Sequence, residues 1–401
     1  MLIHKLTVPT TITTKNIVLF IATIQWIWRR FSTLKLFCNQ KDLANAINVV
    51  QRAVSSKTTL PILKGILLEA YDHKLKLTGN DMNIGIETHI NANIEGEGSI
   101  VLSSRLFGEI IRKLPNALIE IELLENATVI IRCEKSEFTL VGQGADEFPN
   151  IPEVNEENCY TLDHDLLKDM IRQTIFAISQ DETRPILTGS LVEIENGHLT
   201  MVSIDGYRLA IRKALIKSEQ NNRAVVPGKT LNETLKILSG FDNNNEVKIC
   251  FTDKHILFSM ENVKVVSRLL EGEFINYSQI EPKECKAKVI VNLHEFSQGI
   301  ERASLLARES KNSSIKLAIK DDLITITSTV EIGSAHEEIK IKLDGQDIEI
   351  GFNPKYLLDA LKVIDTEDIQ IELTTSVSPC VLKPLDSENY IYIVLPVRMA
   401  N

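Results

Sequence analysis

Eight histidines, six cysteines and two short charged motifs are the residues of this 401-residue chain that could build a catalytic or metal site. The histidines (His4, His73, His89, His164, His198, His255, His294 and His336) show no H-x-x-x-H spacing, so no helix face offers the paired imidazoles of a zinc site. The cysteines (Cys38, Cys133, Cys159, Cys250, Cys285 and Cys380) include no C-x-x-C pair. That scatter argues against a metal site or a dense disulfide framework and fits reduced cytosolic thiols. Gly228-Lys229-Thr230 ends like a phosphate-binding loop. The first glycine of such a loop would stand at position 223, which is Arg223, so the cradle of backbone amides is missing. Asp163-His164-Asp165 would put two carboxylates around a base, but it opens a helical window, where acids favour the helix dipole. It reads as a cap. No catalytic residue, cofactor or metal is expected.

The chain is 44% hydrophobic and 24% charged, which is ordinary for a globular protein and excludes collagen-like or wholly disordered classes. Net charge is −10, so a uniformly basic nucleic-acid binder is excluded while a segregated one is not. Six windows carry apolar residues at helical spacing: Lys41–Lys57, Ser103–Leu114, His164–Ser179, Gly228–Ser239, Leu293–Arg308 and Asn353–Ile364. Together they hold 14 Lys or Arg against eight Asp or Glu, a balance of +6 that leaves −16 on the rest of the chain. Such a basic helical surface on an acidic body would draw a polyanion to one place. Ser103 and Asn353 suit N-caps, and Pro354 suits a first helical turn.

An internal repeat organises these windows. Leu60-Pro61-Ile62-Leu63-Lys64-Gly65 lies over Arg184-Pro185-Ile186-Leu187-Thr188-Gly189, at an offset of 184 − 60 = 124 residues. At the same offset Asp81 meets Asp205, Arg105 meets Lys229 and Leu114 meets Leu238. A fainter third copy places Leu323-Ile324-Thr325-Ile326-Thr327 over Leu199–Ser203. The period is far longer than that of a solenoid, so each copy is a domain. The boundaries read as 34–157, 158–286 and 287–401. Within each copy two helices and roughly eight alternating, β-branched strands predict an α+β fold with mainly antiparallel sheet.

Residues 1–33 stand apart. Ile17–Trp28 is an apolar run of about 12 residues, short of the roughly 20 that span a bilayer, and it lacks the flanks of a signal peptide. The expectation is an appendage outside the fold, either disordered or not part of the native protein. The alternative is a peripheral membrane anchor.

The threefold repeat, Thr59-Leu60-Pro61-Ile62-Leu63, Asp205-Gly206-Tyr207-Arg208-Leu209-Ala210, Gly272-Glu273-Phe274-Ile275-Asn276-Tyr277 and Leu395-Pro396-Val397-Arg398-Met399 together resemble the bacterial β sliding clamps, the β subunits of DNA polymerase III. The resemblance runs from about Leu34 to Met399. It implies a DNA clamp fold of three tandem domains, closed head to tail into a homodimeric ring with helices inside. It implies a non-catalytic, cytoplasmic processivity factor of DNA replication. Its partners would be encircled double-stranded DNA, the polymerase III α subunit, the clamp loader and other proteins bearing a clamp-binding motif, with no membrane.

Carried over by position, the resemblance implies DNA contacts at Lys57, Arg105, Arg112, Lys229 and Lys236. A partner-peptide pocket would comprise Arg184, Leu187, Gly206, Tyr207, Arg208, Leu209, Ile275, Ile280, Asn353, Tyr356 and Val377, with the tail Ile393, Val394, Leu395, Pro396, Val397, Arg398 and Met399. At the dimer joint Phe138 and Leu140 would meet Leu305 and Leu306. Departures from the family pattern fall at Ile204, Gln279 and Pro379 on the pocket rim. Pro185 and Ile186 stand in place of an aromatic pair that touches DNA in some relatives. Two other readings compete: an enzyme built from dispersed residues such as Arg184, Asp205 and Arg208 at a domain junction, and a membrane-attached scaffold using Ile17–Trp28.

Overall fold

The computed structural model describes residues 34–398 apart from 56, 157–158, 219, 241–245, 283 and 310–313. The segment 1–33 and Met399 lie outside the described residues. Two compact units are resolved: one reaches from residue 34 to Pro152 and takes in Asn262–Val265, the other holds Glu153–Glu261 and continues from Val266.

The first unit contains one copy of the repeat. Its five-stranded sheet runs in the order Asn93–Gly96, Lys35–Asn39, Leu118–Leu123, Thr128–Cys133 and Ser136–Val141. Four further strands pair in the order Ile84–Asn91, Lys74–Asn80, Gly65–Tyr71 and Gly98–Ser103. Two helices, α1 (Gln40–Val50) and α2 (Ser104–Lys113), pack together. Helix α2 buries Ser104, Phe107, Gly108 and Ile111, the i, i+3, i+4, i+7 stripe of an amphipathic helix, and turns Arg105 and Arg112 outward. The Gln40 side-chain amide donates to the Ile111 carbonyl at 2.7 Å and joins the two helices.

The second unit holds the other two copies. Helices α3 (His164–Arg172) and α4 (Gly228–Leu238) belong to one, α5 (Leu293–Ala307) and α6 (Pro354–Leu361) to the other. Both are threaded onto one nine-stranded antiparallel sheet, in the order Asn222–Pro227, Gly189–Glu195, His198–Ile204, Arg208–Leu215, Tyr390–Val394, Cys380–Pro384, Asp368–Leu373, Ala287–Asn292 and Lys342–Gly345. The seam between the copies is the pairing of Arg208–Leu215 with Tyr390–Val394. Cys159–Asp163, Glu246–Phe251 and His255–Met260 pair in that order, and Gly333–Lys340, Leu323–Val330, Ile315–Lys320 and Ile348–Phe352 form a four-stranded sheet.

The repeat is visible element by element. Strand Lys35–Asn39 and helix α1 recur as strand Cys159–Asp163 and helix α3, each starting 124 residues later. The short helix Pro61–Lys64 and the strand from Gly65 recur as Pro185–Thr188 and the strand from Gly189. His164 stands where Gln40 stood and makes the equivalent link, its ring Nε2 lying 2.8 Å from the Leu238 carbonyl of α4. It is a bonded core histidine.

The helices are shorter than their sequence windows. Helix α1 ends at Val50 with a single 3-10 turn to Ala53, so Lys57 sits in coil rather than on a helix. Helix α3 ends at Arg172, before a separate turn at Ile175–Ala177. β-branched residues crowd these window ends and weaken helix continuation. Asp163, Asn292 and Asn353 accept hydrogen bonds from first-turn amides as N-caps, but Ser103 makes no side-chain cap bond. Thr230 of the phosphate-loop look-alike is buried with its hydroxyl 2.6 Å from that of Ser267.

The expectation of reduced thiols needs correction at one pair. Cys159 and Cys250, separated by 91 residues, are joined by a disulfide. They stand directly opposite each other on antiparallel strands, a proximity created by sheet register and invisible to a search for close sequence spacing. Cys38, Cys133, Cys285 and Cys380 are free.

Candidate functional site

The seam of the second unit gathers most of the pocket residues read from the sequence. Leu209 faces Ile393 and Arg208 faces Val394 across it. Leu187, Leu209 and Ile393 join Leu191, Val202, Ile204 and Val381 in one apolar cluster, with Ile280 packed on its margin. Leu187 is only 2% exposed; these residues are floor. Val394 belongs to the neighbouring core, on which Tyr356 packs. The exposed part is contributed by Tyr207 at 61%, Val377 at 71%, Ile275 and Leu395. Several large apolar side chains around one seam make a surface that a hydrophobic ligand would cover.

Arg208 holds this surface together. Its Nε donates to Asp205 at 2.9 Å, one Nη to Asp359 of α6 at 2.7 Å and the other to the Phe176 carbonyl at 2.8 Å. Its guanidinium lies 4.6 Å from the centroid of the Tyr356 ring, and Tyr356 stacks on Tyr207 at 6.1 Å. Burial works to lower its pKa, but the bond to Asp359 and the charge of its surroundings outweigh that, so it is held above the ordinary arginine value. All three nitrogens are committed within the protein, so Arg208 positions the aromatic pair. Burial pushes the Tyr356 hydroxyl up.

The loop leading to Arg208 is shaped by Asp205, whose Oδ1 accepts from the amides of Tyr207 and Arg208. Gly206 takes φ +94°, a left-handed conformation that suits glycine. The tail is tied down by backbone: Leu395 N–H donates to the Tyr207 carbonyl and Val397 N–H to that of Gly351, each at 2.8 Å. Pro396 follows Leu395, and Arg184 and Arg398 are exposed. Asn353 serves as the α6 N-cap. Ile204 is buried, and Gln279 ends the short helix Tyr277–Gln279. A separate groove of 1320 Å³ is lined by Glu193, Arg223, Lys254, His255, Arg268 and Tyr277 and takes in none of the pocket residues read from the sequence.

Four of the five basic positions read from the sequence, all but Lys57, fall on matching helices. Arg105 and Arg112 on α2, and Lys229 and Lys236 on α4, are exposed and two turns apart. Arg112 donates to Gln51 at 3.1 Å, and Lys236 pairs with Glu233 at 2.7 Å. The structure adds a third pair: Lys355 stands in the first turn of α6 and Lys362 is its C-cap, with the same spacing and also exposed. The seven-residue recurrence of bases was present in all three windows, and the faintness of the third copy concealed the correspondence.

The residues assigned to a joint lie on an edge strand or on a helix packed against one. Phe138 and Leu140 are on Ser136–Val141, which ends the five-stranded sheet of the first unit. Leu305 and Leu306 are on α5, which packs against Gly333–Lys340, the end of a four-stranded sheet. Leu305 is 63% exposed, and Phe138 is exposed as well. Among the described residues, no group of three or more His, Cys, Asp and Glu could hold a metal ion, and no helix is long and apolar enough to cross a membrane.

Three family models match in tandem: the N-terminal domain of the DNA polymerase III beta subunit over residues 34–152, its central domain over 161–276 and its C-terminal domain over 278–398. The beta sliding clamp of Bacillus subtilis strain 168 is 42% identical over 376 residues, covering 90% of this chain and 99% of the relative. The beta sliding clamp of Staphylococcus aureus strain N315 is 38% identical, covering 88% and 96%. Among solved structures, the DNA polymerase sliding clamp of B. subtilis superposes with a TM-score of 0.89 at 41% identity, covering 92% of this chain and all of that one, 100%. A Pseudomonas aeruginosa sliding clamp solved with griselimycin gives 0.87 at 28% identity, with coverage of 92% and 100%.

Proposed function

Because the chain belongs to the DNA polymerase III beta subunit family, we propose that it encircles duplex DNA as a sliding clamp and tethers the replicative polymerase. The single observation that carries this reading is the tandem match of all three beta-subunit domains along one chain. The role is non-catalytic: the clamp raises processivity by remaining topologically linked to its template. Two copies would close head to tail, the edge at Ser136–Val141 of one meeting the edge at Gly333–Lys340 of the other. Closure of that kind removes free strand edges and leaves no open end.

Arg105, Arg112, Lys229, Lys236, Lys355 and Lys362 would face the DNA, with Lys57 nearby. Contact with phosphates alone carries no sequence information, which is what a sliding protein requires. The Tyr207–Tyr356–Leu395 surface would receive a short hydrophobic peptide from the polymerase, the clamp loader or other partners. The griselimycin complex of the Pseudomonas relative supports the presence of a ligand site on such a clamp. The test is retention on DNA of defined topology. Loaded protein should stay on a closed circle through gel filtration and leave once that circle is linearised. Equal retention on both would overturn the encircling mode.

A further inference from the structure

Cys159 and Cys250 occupy an unusual position among the six cysteines. Cys38, Cys133 and Cys380 are buried free thiols, Cys380 within electrostatic reach of Cys285, and burial pushes the Cys38 thiol up to about 12. Cys285 is exposed without a bonded partner thiol. Only Cys159 and Cys250 face each other, in register on neighbouring antiparallel strands. Their Cα atoms are 4.3 Å apart, the spacing of a non-hydrogen-bonded antiparallel pair and the short end of what a disulfide spans. The strand Cys159–Asp163 ends its sheet, so pairing with Glu246–Phe251 is what holds it. It leads directly into α3 through the Asp163 cap.

We propose that Cys159 and Cys250 form a reversible thiol–disulfide exchange site for low-molecular-weight disulfides, which staples this edge strand in the oxidised protein and leaves it held by backbone pairing alone in the reduced one. Cys250 has no exposed surface whereas Cys159 is half-buried, so Cys159 is the entry thiol. As thiolate it attacks one sulfur of the small disulfide, RSSR. One RS⁻ leaves and takes up the proton that Cys159 lost. The Cys250 thiolate then attacks the Cys159 sulfur of the mixed disulfide and expels the second RS⁻, which is likewise protonated. Two protein thiols are oxidised by two electrons and RSSR is reduced to two RSH. Excess RSH runs the same steps backwards. The bridge closes a loop of 91 residues, so reduction returns considerable freedom to the unfolded chain and loosens the second domain.

The probe is glutathione, applied to the full chain with Cys285→Ser to remove intermolecular pairing. After equilibration in oxidised or reduced glutathione, thiols are trapped by acid and maleimide and mapped by peptide mass. The expected result is a Cys159–Cys250 linked peptide in the oxidised buffer and two alkylated cysteines in the reduced one, interconverting without unfolding. The thermal midpoint of the transition that includes the second domain should fall by roughly 5–10 °C on reduction. Added Cys159→Ser, or Cys250→Ser if the first fails to fold, should abolish that dependence. Free Cys159 and Cys250 in oxidised buffer, a mixed disulfide that stays on Cys159, or a redox-dependent midpoint that survives the serine variants would each overturn the proposal.

Discussion

Arg208 is 8% exposed and lies between two carboxylates, a carbonyl and a tyrosine ring. Replacing it with methionine keeps most of the volume but leaves Asp205 and Asp359 without their shared counter-charge. Because both carboxylates keep some access to water, the expected loss is about 2–3 kcal/mol rather than the upper end for a buried pair. Asp359→Asn should cost less, since Arg208 keeps Asp205 and the Phe176 carbonyl. Urea midpoints of the two variants test the order; a larger loss for Asp359→Asn would contradict this account of the cluster. At this scale the sequence was only partly legible. Arg208 entered as a pocket residue through the resemblance, but that its donors point inward depends on Phe176 and Asp359, which arrive from remote segments. Leu187, Leu209 and Ile393 were read as lining a pocket, and in the structure they are buried in the apolar cluster at the seam. A hydrophobic residue one layer below a binding surface has the same sequence signature as one on it.

The elements were far more legible, because a tandem repeat records each of them more than once. Gly65 and Gly189 mark the same junction of short helix and strand, and both are required by close approach. A Cβ on Gly189 would collide with the Val226 carbonyl, and one on Gly65 with the Val101 side chain. What repetition cannot reveal is a pairing that occurs in one copy only. The Cys159–Cys250 bridge is of that kind, for Lys35, in register with Glu122 on the neighbouring strand, stands in the first copy where Cys159 stands in the second. The edges bear on assembly. Phe138 and Leu305 expose large apolar side chains on or beside strands that end their sheets, the arrangement expected of a joint that another copy covers. Phe138→Lys or Leu306→Lys would bury an unpaired charge there at a cost of several kcal/mol and should yield a folded monomer. Sedimentation of both variants decides it; an unchanged dimer mass for the pair would place the joint elsewhere.

For the whole molecule the decisive quantity is how charge is distributed, since a net charge of −10 would on average repel DNA. The helices reverse that sign locally, and the structure shows the reversal to be periodic. Exposed bases two turns apart recur on α2, α4 and α6, as Arg105 with Arg112, Lys229 with Lys236, and Lys355 with Lys362. If these six positions face the template together, their effects should be of one kind. Each charge reversal to Glu should weaken retention similarly and independently of DNA sequence, because bonds to phosphate position a protein without reading bases. Removing one base that neutralises a phosphate should also reduce the slope of log affinity against log salt by nearly one, since fewer condensed counterions are released. Combined reversal on α2 and α4 should therefore lower retention sharply at low salt and by much less at high salt, with the dimer intact by sedimentation. Reversal on α6 tests the third copy alone. Lys355→Glu with Lys362→Glu should match the effect of Arg105→Glu with Arg112→Glu, because the two pairs are equivalent in the repeat. Loss of retention from α2 and α4 but none from α6 would mean that the third domain does not present its basic helix to the DNA.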